Sequence, residues 1–473
     1  MKKFLTVLLC VNAFICLGFA TNSRIQSLNI DSWMIEKDDT FIWVNPARIV
    51  DYKRSFICEL GEVESVAAQP VLNKNLSISD SWGGLVYPLD LISKNSVLGV
   101  FIGRPQFSFI SQIGGVIGDV HFPSDLGRTS IDVTATGTVS VGVLEPQKKF
   151  DLIYHMPAVT LWFNYANNIE ERIHKYEGQA TSGTVKTTRA SVEFNIYAGK
   201  VFENVGPFSE IDASVGVGFP YVGNSIIEEV ETISPTIENE EHSLKTNTGF
   251  NLDMNLRGIY KVSGSSKMLL FLTYYLSSLP NSFVSKVDSN RNGTYDLAET
   301  LKQERDEKYS NILFTAALNT DLNQKTKMIL ALSVFNINTY AKASQFSANR
   351  KEEEYEVSRQ FIYIPVNVAF ESNFLKVLTG RLGVRYNIIS IDSYEIKDPD
   401  DFTAGNPARE TKSNVTVSSA EDVVDVSLGL GLNITNSLSL DAFVRQEVLF
   451  TGTYLISGVP ETLNSSLSLV YRF

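Results

Sequence analysis

Cysteine is scarce in this chain of 473 residues: there are three, Cys10, Cys16 and Cys58. Two of them fall in the first twenty residues, so a mature chain starting after Ala20 keeps Cys58 alone and holds itself together without an intrachain disulfide. Long apolar runs are lacking beyond those twenty residues. The richest stretch, Phe361 to Phe370, falls short of the roughly 18 residues of a membrane helix and contains Pro365 and Asn367, so any membrane crossing has to be made by strands. Basic excess is missing too. Lys and Arg number 41 against 53 Asp and Glu, a formal charge of −12, which argues against nucleic acid as a partner. The four histidines, His121, His155, His174 and His242, have no zinc spacing. A G-x-S-x-G elbow, a phosphate loop and a dinucleotide fingerprint are likewise absent, and the expectation is a protein that is not an enzyme.

What is present begins at the two ends. Residues 1–20 combine Lys2 and Lys3, an apolar run from Phe4 to Phe19 and the small-residue site Gly18-Phe19-Ala20, which reads as a secretory signal peptide. Leu9 and Ile15 precede the two early cysteines where a lipoprotein box needs a small residue, so lipid anchoring is not expected. At the other end, Leu467, Leu469, Tyr471 and Phe473 share one face of a strand, and Ser468, Val470 and Arg472 share the other. This pattern resembles the closing strand of bacterial outer-membrane β-barrels. The resemblance implies that the terminal aromatic, Phe473, is read by the barrel-assembly machinery.

Period-two alternation recurs inside the chain. Val424, Val426, Leu428, Leu430, Leu432 and Ile434 stand against Asp425, Ser427, Gly429, Gly431 and Asn433, about the ten residues of a membrane-crossing strand. Similar sets start at Phe250, Val192, Ile211 and Leu382. Short links are expected near 203–206, 263–266, 322–324, 372–374 and 435–437. Long ones are expected near 104–148, 168–187, 222–248, 280–308, 340–356 and 392–420. Short periplasmic turns alternating with long external loops are the plan of an outer-membrane barrel, and the count gives about 16 strands, or about 14 if the hairpin near residues 53–89 belongs to a plug. A soluble β-sandwich is the rival, but its strands are shorter and its turns more evenly spaced. The fold expected is therefore all-β, an antiparallel transmembrane β-barrel with an N-terminal plug.

Before the first strand lies a segment from Ser32 to Ala47 that contains Trp33, Trp43 and the tripeptide Asn45-Pro46-Ala47. That opening resembles the long-chain fatty-acid transporter family and its relatives, which include accessory barrels of secretion systems. The resemblance implies that residues 21–50 fold into the lumen as a hatch and that residues 51–473 form the barrel. Read from the residues alone, Pro46 cannot donate to a ladder and biases Asn45 to an extended conformation, so the tripeptide is either turn punctuation or part of a plug.

Asp288, Asn290, Asn292, Thr294, Asp296 and Glu299, with Gly293 at the sixth position, match the spacing of an EF-hand calcium loop. The expected effect of calcium there is to order an external loop. The lumen is expected to carry Asp253, Arg257, Arg381, Arg385 and Arg445, together with Glu193, Asp212, Asp425, Asp441 and Glu447. These charges either line a selectivity path or neutralise one another and pin the plug. The link 104–148 is apolar for a surface loop, with Phe107, Phe109, Ile110, Ile113, Val116 and Ile117 among glycines, and forms a constriction or an external groove. By contrast, Glu228, Glu229, Glu231, Glu238, Glu240 and Glu241 make a solvated acidic loop. The function these readings imply is a bacterial outer-membrane channel or transporter for small hydrophobic molecules, bathed in outer-membrane lipid. The alternative is a non-transporting surface or secretion-accessory barrel whose loops bind a partner.

Overall fold

The computed structural model describes residues 22–36, 38–62, 82–89, 94–104, 130–133, 137–140, 148–177, 182–230, 240–247, 249–288, 297–347, 350–375, 377–397, 411–419, 423–435, 437–449 and 464–473. Sixteen strands form one closed antiparallel wall. In chain order they are β1 Ser55–Glu62, β2 Trp82–Pro88, β3 Val97–Ile102, β4 Lys148–His155, β5 Thr160–Glu177, β6 Ser182–Val205, β7 Phe208–Val230 and β8, which comes in two pieces, Glu240–Thr246 and Phe250–Lys261. Then follow β9 Ser266–Val287, β10 Thr300–Asp321, β11 Thr326–Ser347, β12 Arg350–Asn373, β13 Leu378–Lys397, β14 in the two pieces Thr411–Ser419 and Val423–Asn433, β15 Leu438–Leu449 and β16 Asn464–Arg472. Each strand pairs with its sequence neighbours, and β16 returns to β1, with Arg472 opposite Ser55, so the sheet has no edge. A separate hairpin, Ser130–Val133 with Gly137–Ser140, lies in the link between β3 and β4.

Two expectations need correction. The hairpin near residues 53–89 is wall, since β1 and β2 pair with each other and close the ring, which excludes the 14-strand count. The long links at 168–187, 222–248, 280–308, 340–356 and 392–420 are largely strand: β6 and β12 reach 24 residues each, where a membrane needs about ten. The reason is physical. Beyond the membrane both faces of a strand meet water, so the alternation of apolar and polar side chains stops while the hydrogen-bond ladder continues. Cross-strand ion pairs such as Lys186 with Glu171 at 2.8 Å and Lys286 with Glu241 at 2.9 Å replace it. The short links at 206–207, 262–265, 322–325, 374–377 and 434–437 lie together at one end of the wall, with Ser55 and Phe473.

The outward face carries an apolar band. On β9 it consists of Met268, Leu270, Leu272, Tyr274 and Leu276, and on β12 of Phe370, Val368, Val366, Ile364 and Ile362, in register with the exposed Phe314, Leu330 and Leu332 between them. Eight steps from first residue to last at about 3.4 Å each, tilted by roughly 40°, give a band about 20 Å tall, the order expected for a lipid-facing girdle. Burial behind that wall differs around the ring. On β4–β8 the inward residues include the polar Asp151, Asn164, Asn195, Asp212 and Asn251 beside the apolar or aromatic Ile153, Trp162, Tyr197 and Val222. On β9–β12 Phe271, Leu279, Tyr309, Leu313, Phe335, Ile337, Phe361 and Tyr363 form one apolar cluster, flanked by the buried polar Ser277, Thr315, Ser333 and Asn367.

Candidate functional site

Residues 22–52 form a helix α1, Asn22–Leu28, and three short 3-10 turns, Ser32–Met34, Asp39–Trp43 and Pro46–Tyr52. Local chemistry sets each end. Asn29 takes the left-handed conformation (φ 48°) that closes α1, with its N–H donating to the Gln26 carbonyl. Asp38 caps the second turn by accepting from the Thr40 N–H. Asn45 caps the third by accepting from the Ala47 N–H, with Pro46 in the first position where its missing N–H costs nothing. Asn45-Pro46-Ala47 is thus a helix start.

This segment touches β3–β6 on one side of the ring and β9, β10 and β12–β16 on the other. Only a segment inside the ring can reach both sides, and its contacts lie in the half of the lumen near the short turns. Its apolar side chains divide between the walls. Ile25, Leu28, Met34 and Ile35 pack on Ile259, Leu269, Ala317 and Ala369. Trp43 sits edge-on to Phe101 at 4.8 Å and Trp82 at 5.8 Å, with the Arg104 guanidinium 3.9 Å from its ring centroid. Trp33 stacks on Phe271 at 5.0 Å and donates its indole N–H to Thr315.

Two charge clusters tie the segment down. In the first, Asp212 on β7 accepts from Arg48 Nε at 2.6 Å, from Arg257 Nε at 3.0 Å and from the Asn45 amide at 3.2 Å, while Glu210 also holds Arg48. Arg257 in turn donates to the Ile35 carbonyl at 2.9 Å and lies over the Phe41 ring. In the second, Glu371 on β12 receives two bonds from Arg24, each 2.9 Å, and one from Arg381, which also reaches Asp441. Burial works against the Arg24 charge, but Glu371 and Asp38 outweigh it and raise its pKa above the ordinary arginine value. Burial pushes the Asp38 carboxyl up, against the pull of Arg24.

Wall amides complete the anchorage by binding segment backbone. Asn319 donates to the Met34 carbonyl at 2.8 Å and Asn367 to the Asn29 carbonyl at 2.6 Å. Gly383 makes the closest approach: a methyl there would stand 2.0 Å from the Leu28 carbonyl oxygen. Gly383→Ala is therefore expected to lift α1 from β13 without changing any charge. Overpacking of this kind costs about 1–3 kcal/mol, which should speed tryptic cleavage at Arg24 by about tenfold in the folded barrel. An unchanged cleavage rate would show that α1 is not seated there.

Above the segment lies the apolar cluster of β9–β12, and Phe41, Trp33 and Val44 form its floor. Phe335 and Tyr363 stack at 4.1 Å, Phe361 leans on Tyr363 at 5.5 Å, and Tyr275 meets Tyr309 edge-on at 5.9 Å. Sequence reading missed these residues, although Phe361 to Phe370 stood out as the richest apolar stretch. The arrangement is a packed cluster of rings and aliphatic groups inside the ring, joined by Val222 from β7.

The expected lumen residues are placed as follows. Arg257 and Arg381 belong to the two charge clusters just described. Asp253 faces inward next to Asn255, which donates to it at 3.0 Å, and is opposite Tyr275 on β9. Arg385 is partly buried and lies near Tyr363. Arg445 lies on β15, opposite Ser427 and Asn464. In the calcium-like loop, Asp288 is buried at the end of β9 and Glu299 sits in a 3-10 turn, whereas Asn290, Asn292, Thr294 and Asp296 fall outside the described residues. Among the described residues no group of three or more His, Cys, Asp or Glu is gathered as a metal would require. The expected signal peptide, residues 1–20, and the apolar residues 107–117 also lie outside the described residues.

No protein-family model and no curated protein matches the chain. Solved structures similar to it over nearly its whole length include the CymD monoaromatic hydrocarbon channel, at 8% identity, covering 97% of this chain and 98% of that one with a TM-score of 0.36. A Pseudomonas aeruginosa FadL homologue is similar at 10% identity over 96% of this chain and 100% of its own, with a TM-score of 0.38. The Ralstonia pickettii toluene transporter TbuX is similar at 10% identity over 96% and 98%, with a TM-score of 0.35. These are hydrophobic-compound channels of the FadL kind, the class that the opening at Asn45-Pro46-Ala47 resembles. At such identities and scores the likeness is one of form, and nothing about cargo follows from it.

Proposed function

We propose that this barrel is an outer-membrane channel for small hydrophobic molecules, with residues 22–52 as its plug. The observation that carries the reading is the buried apolar cluster on the inner face of β9–β12, packed on Phe41, Trp33 and Val44 of the N-terminal segment. A polar pore would have no use for aromatic rings on the inner face of strands whose outer face is already apolar. Molecules that partition poorly into water gain roughly 25 cal/mol for each Å² they bury against such a surface. With the short turns on the periplasmic side, the plug closes the periplasmic half, and the apolar cluster is the surface a hydrophobic molecule meets on its way from the side of the long hairpins. No reaction is assigned to the protein. Phe473, stacked near Tyr87 at 6.3 Å and bonded through its N–H to the Arg54 carbonyl, is the residue offered to the assembly machinery.

The test is conductance of the refolded protein in a planar bilayer, with and without residues 21–47. The expected result is a low, steady conductance that rises several-fold on deletion. Silence in both forms would overturn the channel reading. It would favour the surface or secretion-accessory barrel, to which the strands standing well clear of the membrane are also suited.

A further inference from the structure

The outer face of β9–β13 carries a groove of about 560 Å³, with Leu276, the cross-strand partner of Ser310, at its β9 edge. Its first cross-strand row is Ser310, Asn338, Gln360 and Ser393; the next row up is Lys308, Tyr340, Ser358 and Glu395. These residues share the outward parity of the apolar band and begin one outward position above its last members, Ile312 and Ile362. The groove thus opens where acyl chains end and headgroups begin, on the side of the long hairpins.

Its chemistry is neutral. Lys308, the ammonium at the groove, is held by Asp306 at 2.7 Å and lies 5.6 Å from the Tyr340 ring centroid. Glu395 opposes it across the row, and the Arg359 guanidinium is engaged by Asp392 on the inward face. A phosphate would find no uncommitted cation among these residues. Amides and hydroxyls are offered instead. Gln360 donates one amide bond to Asn336 at 3.0 Å and Asn338 donates a weaker one at 3.4 Å. Their carbonyl oxygens, with the hydroxyls of Ser310, Ser358 and Tyr340, are left to accept or donate into the groove. Paired acceptors and donors beside an aromatic ring suit the vicinal hydroxyls and C–H face of a sugar.

We infer that this groove binds the sugar headgroup of a glycolipid in the outer leaflet, whose acyl chains run down the band past Leu276, Ile312 and Val334. The continuity of groove and band selects a membrane lipid over a free saccharide. The site is independent of the lumen and of whether the barrel conducts.

Native mass spectrometry of the full chain in detergent tests it, with three probes: a diglycosyl diacylglycerol, phosphatidylglycerol and a free disaccharide. The glycolipid is expected to bind about tenfold tighter than phosphatidylglycerol, the worth of one or two net hydrogen bonds, and the disaccharide alone should not bind measurably. Asn338→Leu with Gln360→Leu should abolish that preference while keeping the band, and Tyr340→Ala should weaken it on its own, so a misfolded double variant still leaves a test. Heat-modified gel mobility reports folding of each. Equal affinity for the two lipids, a preference that survives in folded variants, or tight binding of the free disaccharide would each overturn the proposal.

Discussion

Asp212→Ala is expected to release the N-terminal segment from the lumen while the wall stays intact. Asp212 is 1% exposed and pairs with two guanidiniums at once, Arg48 from the segment and the equally buried Arg257 from β8, with Glu210 supplying the second negative charge. Glu210 remains to hold Arg48, so the stranded charge is Arg257, which lies over Phe41 and donates to the segment's Ile35 carbonyl. Removing one partner of a buried pair costs about 3–5 kcal/mol because the other is left uncompensated. Release of the segment admits water to Arg257, so most of that cost is recovered by unseating rather than by unfolding sixteen strands. The seated-to-released ratio should fall by at least about a hundredfold, at 1.4 kcal/mol per factor of ten. Two readings check it: tryptic cleavage at Arg24 and Arg48, and bilayer conductance approaching that of the form lacking residues 21–47. Asp441→Ala is the comparison, because Arg381 keeps Glu371 and the loss should be far smaller. If Asp212→Ala and the native chain are cleaved and conduct alike, the Asp212 cluster does not hold the segment.

The strands that alternate cleanly are legible in the sequence itself. The faces assigned from Val192, Ile211, Phe250, Leu382 and Val424 agree with the wall, where Phe194, Val215, Leu256, Leu382 and Leu428 are exposed and Glu193, Asp212, Asn251 and Gly383 are buried. Such strands have one face in lipid and one in a polar lumen, so the two environments write themselves into the sequence with period two. The apolar cluster escaped for the converse reason. From Met268 to Leu276 the chain is apolar on both faces, apart from Thr273, because lipid lies outside and aromatic packing inside, and alternation vanishes where both environments are dry. The extensions beyond the band escaped because both environments are wet. Pairing escaped because it depends on register. That Arg381 and Arg385 share a face follows from their spacing, but that Glu371 and Asp441 meet Arg381 depends on every turn between β12 and β15. Gly383 reads as one more small residue on a polar face until the Leu28 carbonyl is seen against it.

Phe335→Ala combined with Tyr363→Ala should separate hydrophobic passage from simple leakage. The two rings stack at 4.1 Å with 11° between their planes, and they belong to one inner surface with Phe361 and Ile337. Truncating both takes away apolar contact worth about 1.5–3 kcal/mol per side chain to anything lodged against them, less whatever the pair shares by touching each other. Entry of a hydrophobic fluorophore such as N-phenylnaphthylamine into vesicles at low concentration should fall by tenfold or more. Ion conductance in the form without residues 21–47 should hold or rise, because truncating the two rings opens space inside the ring. A general loss of folding would lower both readings together and would show in heat-modified mobility, so the opposite signs identify the aromatic cluster as part of the path. Equal fluorophore entry in the two barrels would remove the aromatic surface from the route, and the cluster would then be only the packing that supports the N-terminal segment.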